Sequence, residues 1–298
     1  MKKFKLLTLV MTIILMQSCE NNDDLTLNEE NSIIPKEIVN KLIDSNLIIS
    51  DDDISLNNFT TPTGEIVNEY LINGDIGISI NQVMDLNDSN NLSAKHSSSK
   101  YLVSTNKQTI YITALINSSN YGLSSTARTA TKYTVTNFNR LDLEFNFVYN
   151  ERELGDLANS DIVVYQDRSL TQDSSVRGLA GFPYSNGNPY KWARINTTAN
   201  NKSNTTYNRN LLEGLITHEI GHCMGLRHTD WENKGSCRLN IKETGTANHI
   251  SGTPSAVYGS RNFDYESIMQ ACFPVKSGTK AGEFSAYDKV ALRSLYQE

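Results

Sequence analysis

Residues 218–228 read His-Glu-Ile-Gly-His-Cys-Met-Gly-Leu-Arg-His, and the spacing of the three histidines decides the fold that we expect around them. On an α-helix, residues four apart share one face, so His218 and His222 can direct their rings at one cation. His228 lies too far along the chain to join them unless the helix ends. Gly225 can end it, because a residue without a Cβ readily adopts the left-handed conformation that closes many helices. The stretch therefore predicts a helix, a turn and a metal site.

Glu219 gives this predicted metal site its chemistry. Three neutral imidazoles leave the fourth position of a tetrahedral zinc ion open for water, as in catalytic rather than structural sites. Zinc lowers the pKa of such a water to about 7, and the carboxylate of Glu219 can then accept its proton as a general base. The alternatives are histidines that only form hydrogen bonds and a zinc ion that only holds the fold. Neither explains a glutamate beside an open coordination position.

The stretch resembles the metzincin motif His-Glu-x-x-His-x-x-Gly-x-x-His, and Ser267-Ile268-Met269-Gln270 resembles the Met-turn of those peptidases. A narrower resemblance links the chain to bacterial HEIGH metallopeptidases of the protease B type. It also rests on Phe-Ser-Ala-Tyr-Asp-Lys-Val-Ala-Leu-Arg-Ser-Leu-Tyr at 284–296, and it covers about residues 101–298. The resemblance implies an α+β fold with a twisted mixed sheet, an active-site helix and an irregular lower subdomain.

The same resemblance implies a zinc-dependent endopeptidase with one catalytic Zn²⁺, in which a zinc-bound water activated by Glu219 hydrolyses peptide bonds. Met269 is then the apolar floor under the zinc, although the sequence alone is equally consistent with an ordinary core methionine. Astacin-like and serralysin-like metzincins have a tyrosine two residues after this methionine, where the present chain has Ala271. We therefore expect no tyrosine ligand from the turn.

The spacing of apolar residues predicts the elements of the catalytic domain. Strands are expected at 109–115, 143–148, 161–165 and 192–197, and helices at 125–141 and 285–296, which favours an α+β sandwich with a mixed sheet. Asn210 and Glu213 resemble a capping box at the start of the active-site helix. Pro183 predicts an edge strand before it, because proline cannot donate to a ladder. By resemblance, this is the strand on which an extended substrate adds, formed by Gly178, Leu179, Ala180, Gly181 and Phe182.

The N-terminus predicts export. Lys2, Lys3 and Lys5 precede an apolar run at 6–16 that is shorter than the roughly 20 residues needed to span a bilayer, which is typical of a signal peptide at 1–18. Met16-Gln17-Ser18-Cys19 resembles a bacterial lipobox, which implies lipid on Cys19, with simple secretion as the alternative. Residues 19–31 are expected to form an acidic tether. We therefore expect an outer-membrane lipoprotein, either exposed at the cell surface or not, or a secreted protein.

Residues 32–100 are predicted to form a prosegment and linker before the catalytic domain at 101–298. Residues 35–47 have helical apolar spacing, and 66–80 read as two short strands around Asn73-Gly74-Asp75. Gly74-Asp75-Ile76 resembles the core of the astacin-type prosegment, which implies that Asp75 is a zinc switch that keeps the enzyme latent. The alternative is a simple hairpin turn, since Asn-Gly and Gly-Asp are common turn dipeptides.

The cysteines predict one disulfide. If Cys19 carries lipid, three cysteines remain, and an oxidising compartment favours one disulfide and one thiol. Cys237 and Cys272 are the favoured pair because both lie on irregular segments beside the cleft. Cys223 lies on the back of the predicted helix, where a thiol packs as a small hydrophobe.

Composition limits the partners. The net charge is −6, and we find no Lys/Arg cluster, so we expect no nucleic acid. The expected partners are protein or peptide substrates, and a membrane only through Cys19, for a monomeric protein. The alternative function is a catalytically silent surface binding module or adhesin on a metzincin scaffold, but such a role needs neither Glu219 nor three histidine ligands.

Overall fold

The computed structural model describes residues 34–44, 54–72, 76–84, 97–99, 101–171, 178–197, 205–231, 234–238, 248–254, 258–272, 276 and 280–297. The predicted signal peptide, Cys19, the acidic tether and Asp75 lie outside these residues. All described residues belong to one structural unit that begins at Ile34. Within this described part of the chain, no helix is both long enough and apolar enough to cross a bilayer.

The secondary structure is mixed. The strands are β1 (Ile54–Thr60), β2 (Ile66–Ile72), β3 (Ile76–Ser79), β4 (Ser97–Ser98), β5 (Thr109–Leu115), β6 (Asn146–Arg152), β7 (Ile162–Gln166), β8 (Gly178–Gly181), β9 (Trp192–Ile195) and β10 (Asn248–His249). The helices are α1 (Lys36–Asp44), α2 (Ile80–Met84), α3 (Ser125–Asn139), α4 (Thr205–Cys223) and α5 (Ala286–Tyr296). The predicted α+β class is confirmed.

Eight of the strands form one mixed sheet in the order β1-β2-β3-β8-β9-β7-β5-β6. β5, β6, β7 and β9 run parallel to one another, whereas β8 is antiparallel to β9. β5 coincides with the predicted strand at 109–115. β6 begins later than predicted, at Asn146, and the side chain of Asn139 at the end of α3 bonds both the N–H and the carbonyl of Phe147 in this strand.

The active-site helix α4 begins at Thr205, so the predicted cap at Asn210 is wrong. Asn210 and Glu213 are buried inside the helix. The Glu213 carboxylate accepts a hydrogen bond from Asn137 Nδ2 of α3 at 3.0 Å. Glu213 therefore joins α4 to α3 and does not cap a helix end. α5 begins as expected, with Ser285 as N-cap and Asp288 completing a capping box.

Part of the predicted prosegment is built into the same sheet. β1, β2 and β3 form an antiparallel meander with a hydrophobic cluster of its own beside α1 and α2, made of Ile38, Leu42, Ile54, Tyr70, Ile72, Ile78 and Val83. β3 then pairs in parallel with β8, Ile76 opposite Ala180 and Gly77 opposite Gly181. The prediction that β8 is an edge strand is therefore wrong for the full chain, because β3 occupies its free side.

Candidate active site

Three histidine rings converge where the sequence predicts a metal site. The Nε2 atoms of His218 and His222 lie 3.0 Å apart, and those of His218 and His228 lie 3.1 Å apart. The third side of the triangle, from His222 to His228, is 3.2 Å. All three side chains are buried. The three rings form a group that can hold one metal ion.

Backbone carbonyls fix how two of these rings are turned. His218 Nδ1 donates to the carbonyl of Ile268, and His222 Nδ1 donates to the carbonyl of Leu226, each at 2.8 Å. A neutral ring whose proton is on Nδ1 has a lone pair on Nε2, so the atoms that face each other can bind a metal ion. This is the usual arrangement by which neighbouring groups orient a histidine ligand.

The donor set fits zinc. Ligand nitrogens about 2.0 to 2.1 Å from a tetrahedral zinc lie about 3.3 Å from one another, slightly more than the spacing found here. Burial, and then the neighbouring His218 and His228, hold the pKa of His222 well below its ordinary value. The His222 ring is therefore neutral at pH 7, as a metal ligand must be.

Gly225 produces the turn that the sequence predicts. Its φ is +99°, in the left-handed region. The N–H of Leu226 bonds the carbonyl of Gly221 at 2.9 Å, and the N–H of Gly225 bonds the carbonyl of His222 at 2.8 Å, which is the Schellman pattern. Because the Leu226 carbonyl also accepts the hydrogen bond from His222 Nδ1, this one turn both orients the His222 ring and redirects the chain to His228.

Glu219 follows His218 in α4, and its carboxylate lies beside β8. Its side chain is only 2% exposed. A Cβ added to Gly178 would lie 2.2 Å from Glu219 Oε1, so β8 passes directly beside this carboxylate. The segment predicted to bind substrate is thus adjacent to the predicted general base.

Met269 packs against the helix that carries two of the ligands. Its side chain is 1% exposed, and a Cβ added to Gly221 would lie 2.5 Å from its sulfur. Gly221, between the ligands in the helix, thus leaves room for Met269. This role of Gly221 was not predicted from the sequence, although a glycine inside a helix is a detectable signal, since it costs about 1 kcal/mol relative to alanine.

Two buried aspartates hold the Met-turn, and the sequence did not assign them this role. Asp288 Oδ1 accepts from the Ser267 hydroxyl at 2.6 Å, and its Oδ2 accepts from the Ile268 N–H at 2.9 Å. Asp230 Oδ1 accepts from the N–H of Ala271 at 2.8 Å. Since the Ile268 carbonyl orients His218, the turn links α5 to the first histidine of the cluster.

The predicted disulfide and free thiol are both present. Cys237 and Cys272 form a disulfide, which joins the chain after the third ligand to the end of the Met-turn. Cys223 is a buried thiol at the end of α4.

The chain belongs to the family described as dual-action HEIGH metallo-peptidases, whose profile matches residues 70–296. It is therefore a metallopeptidase of the HEIGH type, built on an eight-stranded mixed sheet. Two solved structures of myroilysin have low similarity to it. One is 12% identical, with 64% of this chain and 85% of that chain covered and a TM-score of 0.34. The other is 14% identical, with 64% and 93% covered and a TM-score of 0.33. No curated protein matches the sequence.

Proposed function

We propose that the protein is a zinc endopeptidase in which Glu219 is the general base. The observation that carries this proposal is the triangle of three Nε2 atoms, 3.0 to 3.2 Å apart, beside a buried glutamate and a β-strand. A strand beside the reacting centre can hold an extended peptide by backbone hydrogen bonds and so accept the middle of a chain.

His218, His222 and His228 would hold the metal. Zinc held in this way would act as a Lewis acid that lowers the pKa of water to about 7 and polarises a carbonyl. Glu219 takes the proton of the attacking water and then donates it to the leaving amine nitrogen, so one carboxylate serves as base and as acid. Ala271 occupies the position at which astacin-like and serralysin-like metzincins have a tyrosine. Glu219 is therefore the protein group proposed to transfer protons in the reaction.

Digestion of casein tests this function. Processed protein should cleave casein internally, lose that activity when a zinc chelator is added, and regain it when zinc is restored. Absence of cleavage by metal-loaded, processed protein between pH 6 and 9 would contradict the peptidase proposal and favour the silent binding module. Release of single terminal residues alone would contradict the endopeptidase assignment.

We also propose that residues 32–100 keep the enzyme latent. Support comes from β3, which occupies the side of β8 on which a substrate strand would add. Removal of this segment then frees the strand. The zinc switch at Asp75 stays a prediction, and an Asp75→Ala chain as inactive as the wild-type zymogen would contradict it. N-terminal sequencing of the mature form locates the cleavage, and full activity with β3 still attached would rule out this latency.

Export as a lipoprotein remains a separate proposal that rests on the sequence at 1–19. The mature protein should incorporate radiolabelled palmitate, and Cys19→Ala should abolish the label and release the protein from the outer membrane. Protease added to intact cells distinguishes a surface location from an inner-face one. A labelled Cys19→Ala protein would contradict lipidation at this residue.

A further inference from the structure

Asp230 lies two residues after the third metal ligand, and its carboxylate joins three separate parts of the chain. Oδ1 accepts from the Ala271 N–H at 2.8 Å, and Oδ2 accepts from the N–H and hydroxyl of Ser236 at 2.9 and 2.5 Å. The side chain is 1% exposed. Burying a carboxylate is costly unless several donors satisfy it, and here three neutral donors do so.

The contacts of Asp230 reach both the Met-turn and the disulfide. The Ser236 hydroxyl accepts from the Cys272 N–H at 2.9 Å, while Cys272 is bonded to Cys237, next to Ser236. A backbone hydrogen bond of 2.8 Å from the Thr229 N–H to the Met269 carbonyl lies beside these contacts. The chain just after His228 is therefore fastened to the Met-turn at two successive residues.

His228 depends on such contacts more than the other two ligands do. His218 and His222 are fixed one turn apart on α4, whereas His228 follows the turn at Gly225 and has no helix to hold it. The position of its ring is set by the direction of the chain from Leu226 to Trp231. Within that stretch, the Asp230 carboxylate bonds both the Met-turn, at Ala271, and Ser236, and so helps to fix this direction.

We propose that Asp230 is a positioning residue for the metal site, which holds His228 in register with the Met-turn through Ala271 and Ser236. This proposal rests on the proposed metal-dependent function. Partners that orient metal ligands typically change metal affinity by about 10 to 100-fold when they are replaced. We expect a loss in that range from Asp230→Asn, because its NH₂ group replaces one carboxylate oxygen and cannot accept the hydrogen bond that Ala271 or Ser236 donates there.

The test compares Asp230→Asn with Asp264→Asn in the full chain. Asp264 serves as the control, since it is also buried and its carboxylate accepts hydrogen bonds from the Ser285 hydroxyl and the Glu266 N–H rather than from Ala271 and Ser236. Zinc affinity is measured by competition with a chromophoric chelator, and ligand geometry by the visible spectrum of the Co²⁺-loaded proteins. Urea unfolding of the metal-free proteins records stability separately.

Asp230→Asn should lose about 10 to 100-fold in zinc affinity and shift the Co²⁺ bands, while Asp264→Asn keeps both. Equal losses in the two variants, or wild-type affinity in Asp230→Asn, would overturn the proposal. If Asp230→Asn does not fold, Ser236→Ala removes the link between Asp230 and Cys272, and unchanged affinity and spectrum there would also overturn it. Failure of the peptidase function alone is distinguishable, because wild-type protein would then bind zinc normally yet leave casein intact.

Discussion

Glu219 is the residue at which metal binding and chemistry can be separated. Glu219→Gln keeps the size of the side chain but removes its basicity, so activity on casein should fall by about 10² to 10⁴. The zinc content should stay at the wild-type level, because the histidine cluster is unchanged. Atomic absorption of the purified variant, beside a casein assay, checks both parts. A variant that retains most of its activity would remove Glu219 from the proposed role.

Residues whose roles follow from local spacing could be predicted from the sequence. The ligands His218 and His222 are one helical turn apart, and Gly225 ends the helix within the same stretch. The role of Asp230 and Asp288 in holding the Met-turn could not be predicted. Their partners Ala271 and Ser267 are distant in sequence, and only the folded chain brings them together. Whether a residue's role can be predicted from the sequence thus depends on how far along the chain its partner lies, and not on the type of residue.

At the scale of elements, a buried charge cluster joins β2 of the β1–β3 meander to β9 within the mixed sheet. Glu69 on β2 lies 3.2 Å from Arg194 of β9 and accepts from the Tyr190 hydroxyl at 2.6 Å. Arg194 also pairs with Asp167 at 2.6 Å. The ion pairs are almost completely buried, so solvent screens them little.

Glu69→Ala should therefore weaken the attachment of this meander. Breaking a buried ion pair by removing one partner typically costs about 3 to 5 kcal/mol, and the exposed Glu65 on the same hairpin provides the control Glu65→Ala. Urea unfolding measures the stability, and casein cleavage by the unprocessed chain measures how far β8 is uncovered. Stability of Glu69→Ala equal to that of Glu65→Ala would contradict this function of the cluster.

The contact between α3 and α4 should make stability depend on pH. Burial raises the pKa of Glu213 from 4.5 to about 7, a change that its bond from Asn137 only partly opposes. A raised folded-state pKa means that the carboxyl stabilises the fold below pH 4.5, and that this contribution is lost as the pH rises to about 7.

Glu213→Gln, which keeps the bond acceptor but cannot ionise, should consequently gain stability relative to wild type across that pH window. Urea unfolding at a series of pH values measures the difference, with the exposed Glu37→Gln as a control that should show no such trend. A difference between Glu213→Gln and wild type that stays constant from pH 4.5 to 7 would show that Glu213 does not titrate in this way.

Elements were predictable where the apolar pattern is local, and not where a distant segment completes them. The strand at 109–115 and the helix α5 are set by their own alternation and caps. β8 was expected at an edge because of Pro183, but its partner β3 lies about a hundred residues earlier and leaves no signal in the sequence around β8. The start of α4 was predicted wrongly for a related reason. Asn210 and Glu213 are polar residues inside the helix, where Arg209 and, from α3, Asn137 donate hydrogen bonds to them, and they do not mark a helix end.

At the scale of the whole molecule, the metal site joins parts of the chain that the sheet does not connect. The histidine cluster is formed by residues of α4 and of the chain after its terminal turn. It also contacts the Met-turn, because His218 donates to the Ile268 carbonyl and Asp288 of α5 accepts from the Ile268 N–H. α5 also returns to α4 directly, since the Tyr296 hydroxyl donates to the Met224 carbonyl. Metal binding should therefore stabilise the Met-turn together with α4 and α5.

Removal of zinc should consequently lower the melting temperature of the whole chain. A ligand at about 1,000 times its dissociation constant stabilises the folded state by about 4 kcal/mol, and each kcal/mol shifts the melting temperature of a protein of this size by about 2 to 4 °C. Calorimetry with zinc and with a chelator should thus differ by about 8 to 16 °C. His222→Ala, which lacks a ligand, should melt at nearly the same temperature in both buffers. If wild-type protein showed as little response as this variant at saturating zinc, the cluster would not act as a metal site that supports the fold.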